Sequence, residues 1–173
     1  MTNNNNFRLI LLVSLTGLLS SCTGYPRIVS FPFDSAGRSL NSPASEFSPQ
    51  IASQYLVFVS DRNGSQDIYL FDANSRRLID LPGLNSLNEI ASHPSVSEDG
   101  RYIVFAASSQ GKSSIYLYDR DLQQKRNLTE NLQADVRNPN ISADGSKIAF
   151  EIANNGQWDI QVVDRSGRRI DLP

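Results

Sequence analysis

Several residues in this chain are of types that chemistry uses, and most of them fall into a repeating pattern that explains them differently. Ala106 to Ser113 reads A-x-x-x-x-G-K-S, a loose phosphate-loop pattern whose Gly, Lys and Ser would cradle and neutralise the phosphates of a nucleotide. That chemistry needs a strand before the loop and a helix after it, so that helix N–H groups face the phosphate. Here Ile115-Tyr116-Leu117-Tyr118 follows, with the β-branched and aromatic composition of a strand. The sequence therefore predicts a hairpin glycine at Gly111 and no nucleotide site. Asp72, Asp119 and Asp164, with Asp67 and Asp159, carry carboxylates of the kind glycosidases pair across a cleft. They recur at fixed positions of a repeat, which predicts turn capping and strand-end hydrogen bonding instead of catalysis.

His93, the only histidine, stands before Pro94 in what reads as a connecting loop, where the neighbouring repeats have Ser48 and Asn138. One imidazole with no free thiol beside it is a poor ligand set for a metal, and no G-x-S-x-G elbow is present for a nucleophile. Loop hydrogen bonding is its expected role; no catalytic residue, metal or cofactor is expected anywhere in the chain. Trp158 replaces Gln66 and Ser113 of the other repeats. Near Asn154, Asn155 and Gln157 in sequence, it is a candidate contact for a sugar ring or a protein partner, with packing on its own repeat as the alternative.

These positions are set by a segment written three times. LVFVS…G…DIYLFD recurs as IVFAA…G…SIYLYD and as IAFEI…G…DIQVVD, which brings Phe58, Phe105 and Phe150 into register. The phenylalanines step by 47 and then 45 residues. A period of that size, with about four short strands per unit, marks β-sheets arranged radially, each shielding its neighbour. Pro49, Pro94 and Pro139 are expected to precede a short first strand. Asp99-Gly100 and Asp144-Gly145 are expected to make two-residue hairpin turns, whereas Ser53-Gln54 in the first repeat must turn differently. If the next hairpin is centred on Gly64, Gly111 and Gly156, one face pairs Phe58 with Leu70, Phe105 with Leu117 and Phe150 with Val162. The other face then pairs Val59 with Tyr69, Ala106 with Tyr116 and Glu151 with Gln161. Only the third repeat makes that face polar, as the terminal unit of an open array does; the alternative is a polar channel or partner interface there.

Ahead of the repeats, Arg8, the apolar run from Leu9 to Leu19 and the small residues before Cys22 read as an export signal. Leu19-Ser20-Ser21-Cys22 resembles a bacterial lipobox, which implies acylation of Cys22 as the first mature residue and a membrane anchor. Thr23 in place of an aspartate points to the outer and not the inner membrane, facing the periplasm. The expected organisation is a signal peptide over residues 1–21, a tether and partial repeat over 22–45, and a three-repeat domain over 46–173. In the tether, Ile28, Val29, Phe31 and Phe33 lead to Asp34, whose distance from Leu40 equals that from Asp72 to Leu78. This reads as the last two strands of a partial repeat, with Ile28 to Phe33 covering the free side of the first full one. The formal charge of −2, or −3 once Arg8 leaves with the signal, argues against a nucleic-acid partner.

Proline, then Ser-x-Asp-Gly, an Ile-x-Phe strand, a glycine hairpin, an Ile-Tyr-x-x-Asp strand and a closing Leu128-Thr129 resemble the WD40-like propeller repeats of TolB and its periplasmic relatives. The resemblance covers residues 46–173. It implies an all-β chain: a partial β-propeller of three four-stranded, TolB-like blades behind a lipoprotein signal peptide. It also implies a non-catalytic envelope role with Tol-Pal-type proteins, among them the peptidoglycan-associated lipoprotein, or with peptidoglycan itself. Such repeats also occur in oligopeptidase propellers and sugar lyases, so a saccharide- or peptide-binding accessory or a degenerate hydrolase propeller is the competing expectation. Three repeats are half of the six blades in that family, and no α/β domain precedes them here. A capped monomer is therefore the favoured state, and a two-fold homodimer closing a six-bladed ring the alternative.

Overall fold

The structure, a computed structural model, describes residues 38–171, and these contain strands and turns but no helix. The first antiparallel sheet is β1 (Glu46–Ala52), β2 (Tyr55–Ser60), β3 (Asp67–Asp72) and β4 (Arg77–Ile79). The second is β5 (Ile90–Val96), β6 (Tyr102–Ser109), β7 (Lys112–Asp119) and β8 (Gln124–Asn127). The third holds β9 (Val136–Ile141), β10 (Lys147–Asn154) and β11 (Gln157–Asp164). Each sheet is a meander in chain order and forms one propeller blade. The third blade differs from the expected four strands. Among the described residues, its last strand is reduced to a bridge between Val163 and Arg169.

The hairpin register is one residue away from the expected one. Phe58 lies opposite Tyr69, Phe105 opposite Tyr116 and Phe150 opposite Gln161, while Glu151 faces Ile160. The cause is the turn: Gln110-Gly111 and Asn155-Gly156 both have positive φ at both residues, so the hairpin centres on the peptide before the glycine. A slip of one residue exchanges the faces of every pair. Glu151 thus still points outward from blade three, but its cross-strand neighbour is apolar, and Gln161 lies beside Phe150 on the opposite face.

Two further expectations change. The three prolines lie inside the first strands, not before them, at bulges where pairing skips from Phe47 to Gln50, from Ser92 to Ser95 and from Arg137 to Asn140. Asp99-Gly100 and Asp144-Gly145 are not two-residue turns; the Ser97 N–H reaches Tyr102 O and the Ser142 N–H reaches Lys147 O, enclosing four residues each. In both, the serine hydroxyl bonds the aspartate and also accepts from the amide that ends the loop. Blade one closes the same connection at Ala52 and Tyr55 with only Ser53-Gln54 between them. That missing pair of residues is the reason the phenylalanines step by 47 and then 45.

The core lies between blades. Val57, Val59, Ile68 and Leu70, on the forward face of blade one, are buried with Ile103, Phe105, Ala107 and Tyr118 from the rear face of blade two. Val104, Ala106, Ile115 and Leu117, on the forward face of blade two, are buried with Ile148, Phe150, Ile152 and Val163 of blade three. Each fully buried side chain contributes about 1.5–3 kcal/mol of burial free energy, so neither sheet can hold its faces dry alone. Near the axis the blades are also hydrogen-bonded: Val96 N–H donates to Gln50 Oε1 at 2.9 Å and Ile141 N–H to Ser95 Oγ at 3.2 Å.

Among the described residues, no blade precedes the rear face of blade one. There the Arg62 guanidinium lies 5.4 Å from the Phe58 ring and 4.6 Å from the Tyr69 ring. It is fixed by Glu46 at 2.9 Å and by the carbonyls of Ser39 and Leu40. Residues 38–45 contain no strand, so that portion of the expected partial repeat is not found. The rest of it, the covering role of Ile28 to Phe33, and Cys22 lie outside the described residues.

Candidate functional site

Among the described residues, no blade lies against the forward face of blade three. Direct pairing places Arg137 and Ile160 on either side of Glu151, with Trp158 two pairs further along opposite Ala153. Directly opposed residues share a face, so these side chains form one surface. Arg137 Nε lies 2.6 Å from Glu151 Oε2, and Asn138 Nδ2 donates to Glu151 Oε1 at 2.9 Å. These hydrogen bonds, Asn138 first and Arg137 next, hold the Glu151 carboxyl below the usual carboxylate range. The same Arg137 guanidinium stacks over the Trp158 indole at 3.8 Å. An ion pair thus pins one face of the only tryptophan in the chain.

The environment of this face differs from that of its counterparts. Ile68 and Ile115 occupy the repeat position of Ile160 and are 1% and 0% exposed, whereas Ile160 is 70% exposed. Trp158 is 42% exposed. Trp158 therefore packs against Arg137 and retains open surface, which combines the two readings that its sequence position allowed. The residues near it in sequence do not surround it: Asn154 and Gln157 bond to Asp159 on the opposite face. Arg137, which stacks on it, and Asn138, which bonds Glu151, are more than a dozen positions from either Glu151 or Trp158 in sequence. No local motif announces them, and only the β9–β10–β11 pairing brings them together.

A second cluster lies at the inner strands. Ser48, His93 and Asn138 each precede a proline with φ of 47°, 47° and 51°, at equivalent bulges of β1, β5 and β9. Together with Gln50, Ser95 and Asn140 they line a cavity of about 270 Å³. His93 is thus part of a strand bulge, not of a connecting loop. Its place is set by the repeat, since the serine and asparagine at the other two bulges adopt the same backbone.

The remaining candidates are structural. Gly111 is a hairpin residue between β6 and β7, so no helix amide faces a phosphate there. Asp72 accepts from the Asn74 amide and Ser75 hydroxyl, Asp119 from the amides of Asp121 and Leu122, and Asp164 from Ser166 and Arg168. For Asp72 the Asn74 amide leads in lowering the carboxyl pKa, and for Asp164 the Ser166 hydroxyl does. At Asp119 burial acts to raise it, yet the bonds from Arg101 and the turn amides prevail and the net shift is downward. Asp144 is held at about 2, chiefly by the Ser142 hydroxyl. Carboxylates stabilised in the charged form inside their own turns are poor proton donors at neutral pH. Among the described residues, no three His, Cys, Asp or Glu side chains converge to hold a metal.

Comparison with known proteins agrees with this fold. A family model described as the TolB beta propeller domain matches residues 35–172. TolB from Acinetobacter baumannii is 26% identical with a TM-score of 0.56, over 73% of this chain and 31% of that one. A putative TolB from Agrobacterium tumefaciens is 22% identical with a TM-score of 0.57, over 75% and 48% respectively. The β-propeller domain of the Trilobed protease from Pyrococcus furiosus shares the fold at 16% identity and a TM-score of 0.55, over 74% and 42%. The chain thus spans less than half the length of each of these proteins. No curated protein matches the sequence.

Proposed function

The chain belongs to the TolB β-propeller domain family, and from that premise we propose that it is a non-catalytic, lipid-anchored protein of the bacterial envelope that binds a protein partner through the forward flank of blade three. The observation that carries this reading is the Trp158–Arg137–Glu151 surface beside exposed Ile160. Trp and Arg are the residue types in which binding energy concentrates, and an indole already fixed by a stacked guanidinium loses little freedom when a partner covers it. The turn-bound carboxylates support a role without catalysis. The export signal and Cys22 support a periplasm-facing anchor at the outer membrane. Proteins of the Tol-Pal type are the first partners to seek, given the family.

Crosslinking in intact envelopes followed by recovery of the tagged chain tests this. The native chain is expected to bring down envelope proteins of the Tol-Pal type. Trp158→Ala is expected to weaken recovery by tenfold or more, since a central tryptophan anchor is worth about 2 kcal/mol or more. Cys22→Ser is expected to leave the membrane fraction. Recovery of glycan or peptide without protein would favour the accessory-propeller reading instead. Unchanged recovery with Trp158→Ala would remove this flank from the account, and membrane retention of Cys22→Ser would remove the anchor.

A further inference from the structure

The two internal blade junctions share a three-residue device that, among the described residues, both outer flanks lack. Tyr55 opens β2 and lays its ring against Gly100 in the turn of blade two. A Cβ on Gly100 would fall 2.5 Å from Tyr55 Cε2, and one on Gly145 would fall 2.5 Å from Tyr102 Cδ2 in the next junction. A cation from the later blade then covers each ring. Arg120 lies 5.3 Å from the Tyr55 ring and Arg165 lies 4.7 Å from the Tyr102 ring, with Arg165 also donating to the Tyr102 hydroxyl. Each junction thus sets a tyrosine of one blade between a glycine and an arginine of the next, a socket that only a glycine leaves room for.

At the outer flanks every half of this device is missing. Blade three has Lys147 where Tyr55 and Tyr102 stand, so it offers no ring to a following blade. Blade one has the two-residue turn Ser53-Gln54 in place of the four-residue loop, so it has no glycine socket. It also has Ala73 at the position of Arg120 and Arg165, so it has no covering cation. Apolar side chains nevertheless remain exposed at both ends, Ile51 on blade one and Ile160 on blade three, where Val96, Ile141, Ile68 and Ile115 are buried. Greasy surface alone would allow copies to stack end to end; the seating residues that would fix such a stack have been replaced.

We propose that the tyrosine–glycine–arginine socket is what seats one blade on the next, and that its absence from both outer flanks prevents a second copy of this chain from adding at either end. The three blades are a self-limited set in solution, and the flank of blade three stays free for an unlike partner. This inference rests on the junctions alone and stands whether or not the partner is of the Tol-Pal type.

Sedimentation velocity of the full chain in non-ionic detergent, with micelles in excess, tests it over about a hundredfold range of protein concentration. The native chain is expected to keep the mass of one copy throughout. A variant carrying the Glu98–Arg101 loop in place of Ser53-Gln54, with Ala73→Arg and Lys147→Tyr, is expected to show about a twofold rise in mass at the upper end. If that variant does not fold by circular dichroism, the blade-one and blade-three changes are placed in separate chains. Each is then expected to remain single alone and to associate when the two are mixed. A native chain that doubles in mass overturns the proposal, and so does a folded variant, or a folded mixture, that stays single at every concentration.

Discussion

Gly100→Ala is expected to destabilise the protein by about 2–3 kcal/mol, the sum of left-handed backbone strain and an overpacked contact. The glycine has φ of +69°, and the added methyl would meet the Tyr55 ring at 2.5–2.7 Å. Arg120 on that ring limits how far it can retreat. Gly111→Ala is the control, because φ there is +80° but nothing lies within 4 Å of the new atom. Only the backbone term remains in that variant, and a loss of about 1 kcal/mol is expected. Urea midpoints at constant slope give both values. Removing the ring as well, in Tyr55→Ala with Gly100→Ala, is expected to cost less than the sum of the two single changes, the sign of direct coupling. Equal losses for Gly100→Ala and Gly111→Ala would mean that the ring does not occupy the socket.

The same position should behave oppositely in two blades. Ile115→Ala removes a side chain that is 0% exposed between blades two and three, and a loss of about 3 kcal/mol is expected from transfer and cavity terms. Ile160→Ala changes the equivalent residue of blade three, which is 70% exposed, and is expected to alter stability by no more than about 0.5 kcal/mol. The two isoleucines have the same type, strand and register, so the contrast isolates the presence of a neighbouring blade. A comparable loss at both positions would require something to cover blade three in the free protein.

The repeat, the strands and the all-β class were legible because each blade writes the same apolar run, glycine and terminal aspartate. What escaped the sequence turns on small offsets. Centring the hairpin on Gly111 or on the Gln110–Gly111 peptide differs by one residue, yet it decides whether Phe105 faces Leu117 or Tyr116. Nothing short of the backbone conformation of Gln110 chooses between them. Pro49, Pro94 and Pro139 are evenly spaced while the phenylalanines are not, and only the pairing of Ile51 with Leu56 against Val96 with Ile103 places the two extra residues in the turn. Trp158 was recognisable as an oddity of the third repeat. Its true neighbour was not, because Arg137 reaches it across two strand pairings instead of along the chain.

Trp158 is the only tryptophan, so its fluorescence reports on the flank of blade three and on nothing else. Acrylamide quenching of the native chain, compared with the same chain in urea, measures whether that flank is open. Quenching in the native state that approaches the unfolded value is the expected result, since Trp158 stays 42% exposed beside Arg137. An indole that acrylamide reaches only after unfolding would show the flank already covered, and the surface assigned here to a partner would not exist in the free protein.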